Sequence, residues 1–275
     1  GAVLAQWGAP LAEAADALPD LRDRALWVSL SGAAGTSAAL GPQAGAVRAA
    51  MAEALGLGDP GRSWHTDRGP ILRMAAWMAQ VVAALAAMGA SLVALAASEV
   101  GEVRLTGAGA SSTMPQKANP VGPSVLVALG HQMGGLMASL QAAAPHQHQR
   151  DGAAWFAEWM VLPQIALGVA AALETAGAVL EGLEPVPARM LDNLGGAGLI
   201  HAEALSFALA AHMPRAEAQA ATKALVAEAV QTGAALEAVA RAAHPDLPPT
   251  VFDPTAQMGD ARQAARAFAA RVARG

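Results

Sequence analysis

Between Met74 and Ser98 the chain carries no charged residue. A stretch of that length is long enough to span about 30 Å of hydrocarbon, and it constrains the fold more than any other feature. A helix apolar on all sides crosses a membrane, fills the centre of a helical bundle, or lies in an interface between subunits. Alanine dominates this one, and Gln80, Gly89 and Ser91 interrupt it, so its apolarity is shallow. That favours a buried protein interior over lipid. No basic region precedes an apolar run at the start, so no signal peptide is read there, and the expected location is cytoplasmic.

The rest of the composition agrees with a packed helical protein. Hydrophobic residues make up 54% of the 275 residues and charged residues 14%, a balance that excludes a disordered chain. Net charge is −5 and lysine and arginine are not clustered, which argues against a nucleic-acid surface. Cysteine is absent, so disulfides, thiolate nucleophiles and cysteine metal sites are excluded.

Helix formers fill the sequence, β-branched residues are sparse, and no period-2 run persists. The expected fold class is all-α. Leu4, Trp7, Leu11, Ala15 and Leu18 share one face of a helix that has no N-cap before it, as if the chain began inside or just ahead of a long helix. Further helices are predicted over 43–57, 70–103, 124–144 and 152–183. Shorter ones are predicted over 188–194, 199–212, 215–231, 233–243 and 261–273. Pro185 and Pro187 mark an expected boundary between a long-helix bundle, 1–187, and a small helical domain, 188–275. The longest interior stretch without helical spacing is Thr106–Pro123, rich in glycine, serine and proline.

That loop contains Gly109-Ala110-Ser111-Ser112-Thr113-Met114-Pro115-Gln116-Lys117-Ala118-Asn119-Pro120. The hydroxyls of Ser111 and Ser112, the ammonium of Lys117 and the amide of Asn119 lie within nine residues, Ser111 to Asn119. An ammonium and an amide suit a carboxylate or an enolate-like intermediate. A polar surface loop has the same composition.

The segment resembles the fumarase/aspartase superfamily signature G-S-S-x-M-P-x-K-x-N-P, departing only at the leading glycine, which is Ala110. Other segments resemble those of the 3-carboxy-cis,cis-muconate cycloisomerase branch of that superfamily. They are Gly32-Ala33-Ala34-Gly35-Thr36, Trp64-His65-Thr66-Asp67-Arg68, Glu99 to Val103, Arg150-Asp151-Gly152-Ala153-Ala154-Trp155, and Gly195 to Glu203. The resemblance implies long antiparallel helices and a homotetramer whose active sites are shared between subunits. It also implies a small polycarboxylate substrate, and neither a metal nor an organic cofactor. By this resemblance Ser111 is the acid/base residue, working through an aci-carboxylate intermediate, and Lys117 and Asn119 hold the substrate carboxylate. Ser112, Arg150, Arg68, His65 and Thr36 complete the substrate-binding set, with Ser112 acting through the loop backbone.

Two departures follow from the same comparison. The chain is expected to lack the N-terminal domain of the family and its catalytic histidine, and Gln149 stands where the family has an acid before Arg-Asp. His146 and His148 alternate instead of falling at i and i+4, a poor helical metal site. Two other functions remain open. One is a different superfamily lyase such as adenylosuccinate lyase, disfavoured by the few basic residues near the loop. The other is a non-catalytic helical assembly module.

Overall fold

A computed structural model gives the fold, describing residues 1–106, 109–110 and 118–274. It is helical almost throughout, as expected for the all-α class. Two compact units are present. The larger comprises Gln6–Ala96 and Leu105–Leu183, and the smaller comprises Gly1–Ala5, Ala97–Arg104 and Glu184–Gly275.

The chain opens with α1 (Ala2–Asp16), α2 (Leu18–Ala25) and α3 (Ala44–Leu55). Proline in its first turn starts α2, and Gly56, at φ +62°, ends α3 in the left-handed conformation that glycine adopts without strain. The long helix α4 (Gly69–Leu95) follows, then β1 (Val103–Leu105), β2 (Gly109–Ala110) and β3 (Ala118–Asn119). Two further long helices, α5 (Val121–Ala142) and α6 (Gly152–Glu181), complete the three-helix body of the larger unit. Asp151 caps α6, its carboxylate accepting from the N–H groups of Ala153 and Ala154 at 2.9 and 3.2 Å.

Helices α4, α5 and α6 pack against one another in pairs. Val82, Leu85 and Leu92 of α4, Leu126 and Leu140 of α5, and Ile165 and Ala172 of α6 are almost wholly buried. The uncharged stretch therefore supplies one wall of this core. Small residues set how closely α4 and α5 approach. A Cβ on Gly89 would come within 2.6 Å of the Pro123 carbonyl oxygen, and one on Gly130 within 2.6 Å of the Ala86 methyl. Both α4 and α6 are long and apolar enough to cross a membrane.

Helix α4 ends at Leu95, well short of the expected Val103. The chain turns through Gly101, at φ +62°, and enters β1. Thr106 then donates its N–H to the Gly182 carbonyl at 2.8 Å, just past the end of α6. Tertiary pairing here overrides the helix propensity of the local sequence. The expected loop over 106–123 is also not wholly irregular. Strands β2 and β3 pair antiparallel, Gly109 opposite Asn119 and Ala110 opposite Ala118, forming a short ladder at its neck.

After β4 (Leu183–Pro185), the smaller unit contains α7 (Pro187–Leu194), α8 (Ala202–Ala210), α9 (Arg215–Thr232), α10 (Leu236–Ala243) and α11 (Ala261–Val272). Its core is built from Leu205 and Leu209, Ala218, Leu225 and Ala229, Leu236 and Ala240, closed by Leu247 and Val251. His201 is buried here, edge-on to Phe252 with ring centroids 5.8 Å apart.

Candidate active site

Consecutive long helices run antiparallel, so the larger unit has two ends. One carries the start of α4, the end of α5 and the start of α6. The other carries the end of α4, the β2–β3 ladder and the end of α6. The 27 residues of α4 separate the ends by roughly 40 Å at 1.5 Å per residue.

At the first end, the segment before α4 is tied down by side chains. Trp64 is buried and donates its indole N–H to the Val28 carbonyl at 2.9 Å. Arg68 makes a bidentate pair with Glu158 of α6, at 2.8 and 2.7 Å. Both side chains are largely withdrawn from water, 13% and 7% exposed. The Arg68 guanidinium also lies 5.5 Å from the Trp64 ring centroid. Its fork is thus occupied by a protein carboxylate. Arg62 pairs with Asp67 at 2.6 Å, and that bond, helped by the Gly69 N–H, holds the Asp67 carboxyl below the usual carboxylate range.

His65 sits between these anchors. Its Nδ1 lies 3.0 Å from Nη2 of Arg150, a residue 85 positions later in the chain. Arg150 is exposed, and its guanidinium rests 3.9 Å from the Trp155 ring centroid. Among the described residues no carboxylate pairs with Arg150, which leaves guanidinium donors of the kind that suit a carboxylate. Burial first, and then the Arg150 charge, push the His65 imidazole below its ordinary pKa, so it is neutral at physiological pH. His146 accepts the Asp151 N–H on Nδ1 at 3.2 Å, and the Nε2 atoms of both His65 and His146 are buried without a hydrogen-bond partner. A polar cleft lined by Gly35, Arg62, His65, Thr66, His148 and Gln149 opens beside them. Among the described residues no cluster of three or more His, Asp or Glu side chains is disposed to hold a metal ion.

The expected site residues therefore divide. His65, Arg68 and Arg150 come together at the first end, with His65 bonded to Arg150 and Arg68 engaged by Glu158. Thr36 is exposed in the loop after Gly35, and Gly35 itself packs against His65. Asn119 stands at the other end, half-buried in the β2–β3 ladder. Ser111, Ser112 and Lys117 lie outside the described residues. Sequence reasoning gave no role to Glu158 or Trp155. A lone acid in the first two-thirds of an otherwise apolar helix was the available signal for Glu158.

Comparison with known proteins supports the same relationship. The family described as "Lyase" matches residues 1–135. A 3-carboxy-cis,cis-muconate cycloisomerase of Pseudomonas aeruginosa is 45% identical over 202 residues, 72% of this chain and 44% of the relative. Nitrosuccinate lyase of Streptomyces davaonensis is 35% identical over 231 residues, 80% of this chain and 49% of that protein. The crystal structure of 3-carboxy-cis,cis-muconate lactonizing enzyme from Pseudomonas putida superposes with a TM-score of 0.86 at 36% identity, covering 98% of this chain and 63% of that one. The chain spans about half the length of the curated relatives it matches. With Ala110 and Ala118-Asn119 of the signature segment in a short ladder between long antiparallel helices, and the same bundle in relatives of this identity, the chain belongs to the fumarase/aspartase superfamily of lyases.

Proposed function

We propose that the protein is a cycloisomerase that closes 3-carboxy-cis,cis-muconate to a carboxymuconolactone. The observation that carries this reading is the Arg150 fork, held against Trp155 and His65 with no carboxylate partner among the described residues. Such a fork fits one carboxylate of a polycarboxylate substrate. The 45% identity to a named cycloisomerase supports the choice of substrate.

In this mechanism an internal carboxylate oxygen of the substrate adds to the diene and forms the lactone C–O bond. Negative charge moves onto the neighbouring carboxylate, giving an aci-carboxylate that Lys117 and Asn119 hold. Ser111 gives its proton to carbon and recovers one from solvent. A serine hydroxyl titrates far above neutrality, so nearby donors must stabilise the alkoxide that remains. Ser112 supports the loop, and Thr36 contacts the substrate from its own loop.

A single chain holds Asn119 and Arg150 at opposite ends of a bundle about 40 Å long. The reading therefore requires at least two copies, one presenting its signature loop to the Arg150 end of another. Helix α6 supplies an apolar surface for this, with Met160 69%, Leu167 70% and Leu173 50% exposed in the isolated chain. We accordingly propose a homo-oligomer, a tetramer by family resemblance.

The similarity to nitrosuccinate lyase supports a second reading, in which the same site eliminates a group from a different small carboxylate. The test is to assay the full translation product of the gene for loss of the conjugated-diene absorbance of 3-carboxy-cis,cis-muconate, with nitrosuccinate and adenylosuccinate in parallel. Turnover of the muconate alone is the expected result. Turnover of another substrate alone overturns the cycloisomerase reading and keeps the superfamily chemistry. No turnover of any of the three favours an assembly role.

A further inference from the structure

We infer that His65 is a positioning residue, whose neutral Nδ1 holds the Arg150 guanidinium in the orientation it presents to an anionic ligand. The inference rests on the reading of Arg150 as a carboxylate-binding group, and it removes His65 from direct contact with the ligand.

Arg150 lies in the exposed connection between α5 and α6, where a long side chain samples many rotamers unless something holds it. Two contacts do so. The Trp155 ring backs the guanidinium, its centroid 3.9 Å from the central carbon, and His65, its Nδ1 3.0 Å from Nη2, holds one of the nitrogens. A guanidinium has only donors, so the His65 Nδ1 facing it must be an unprotonated acceptor, and the ring proton sits on Nε2. His65 is itself fixed. Trp64 is anchored on Val28, Arg68 is locked to Glu158, and Gly35, at φ +73°, packs so closely that a Cβ there would approach the His65 Cβ to 3.1 Å.

The charges around His65 reinforce this state. Arg150, His146 and Arg68 all act on the imidazole, and each disfavours a second proton. Of the nearby carboxylates, Asp67 is bonded to Arg62, Glu158 to Arg68, and Asp151 to the first turn of α6. Burial works with the cations, while the Ala33 carbonyl opposes them. A proton arriving on Nδ1 would point a donor at a donor and release the fork. Acid should therefore weaken ligand binding through His65, although Arg150 keeps its own charge.

Two measurements test the idea, the first without any substrate. Long-range proton–nitrogen NMR of histidine-labelled protein should show His65 as the Nε2–H tautomer at neutral pH, with a pKa below 6.5 that rises in Arg150→Ala. In steady-state kinetics His65→Phe should raise KM about tenfold, the value of one charge-assisted hydrogen bond, with less effect on kcat. His65→Asn should recover most of that loss, because its Oδ1 occupies the place of Nδ1. The wild-type KM should climb as pH falls through the His65 pKa, and in His65→Asn it should not. An Nδ1–H tautomer, a His65 pKa indifferent to Arg150→Ala, or a His65→Asn variant as impaired as His65→Phe would each overturn the inference. If Arg150→Ala leaves KM unchanged, the carboxylate assignment of Arg150 fails, and the inference falls with it.

Discussion

Removing the charge of Glu158 while keeping its shape isolates the ion pair that ties α6 to the segment before α4. In Glu158→Gln the Arg68 guanidinium loses its counter-charge but keeps one acceptor oxygen and the Trp64 face. Breaking a buried pair by deleting one partner costs about 3–5 kcal/mol when the surviving charge is uncompensated. The retained oxygen and ring reduce that, so the expected loss is about 2–3 kcal/mol. The double variant Arg68→Met/Glu158→Leu removes both charges and fills similar volume. It should lie within about 1 kcal/mol of the parent, because the desolvation of both ions is then avoided. Urea unfolding followed by tryptophan fluorescence is the natural assay. All six tryptophans, Trp7, Trp27, Trp64, Trp77, Trp155 and Trp159, belong to the larger unit, so the signal reports that unit alone. A Glu158→Gln loss under about 1 kcal/mol, or a double variant as unstable as the single one, would refute the argument that this is a closed, desolvated pair.

Other expectations follow from the same geometry. Gly89→Ala should destabilise the larger unit by about 1–3 kcal/mol, because the added methyl meets the Pro123 backbone. Gly134→Ala, with nothing within 4 Å, should stabilise the chain by up to about 1 kcal/mol, and equal effects of the two in urea melts would contradict the packing. Asp151→Ala should lower stability by about 0.5–2 kcal/mol through loss of the α6 cap, with Asp151→Asn much milder in the same melts. The folded-state pKa of His65 lies below 6.5, so its contribution to stability is present above that pH and lost as pH falls. That of Asp67 lies below 3.8, so its contribution is present above 3.8 and lost on further acidification. Stability profiles against pH should show both losses in wild type and only the lower one in His65→Asn. Ser111→Ala should lower kcat far more than it changes KM, and Lys117→Ala should mainly raise KM; wild-type kinetics in either would remove the role assigned to it.

Helix α6 was legible almost to its ends because Asp151-Gly152 marks its start and Gly182 follows its last turn. The end of α4 was not. Nothing local in Ala96 to Val103 forbids helix, and the chain leaves it because Thr106 and Val186 find backbone partners far along the sequence. Helix α2 went unread, because the helical spacing at the start of the chain stops at Leu18. Pro19 in its first turn, Asp20 near its start, and Arg22 and Arg24 near its end are the signals that separate it from α1. At the candidate site the individual segments could be recognised, but their meetings could not. His65 with Arg150, and Arg68 with Glu158, are pairings across 85 and 90 residues that no local pattern encodes. The division of the expected residues between two ends of the bundle likewise needs the antiparallel course of α4, α5 and α6.

The seam at Gly89 and Gly130 makes that division a fixed length. Where two helices meet through wide side chains, rotamer changes let one slide slightly along the other. Here the Pro123 carbonyl and the Ala86 methyl sit almost on the facing backbone, and a shift along the seam would drive them into it. The bundle is then a rigid ruler between the β2–β3 ladder and Arg150. In the proposed oligomer, any adjustment to ligands of different length comes from how the copies are set against one another, since the rod itself does not stretch.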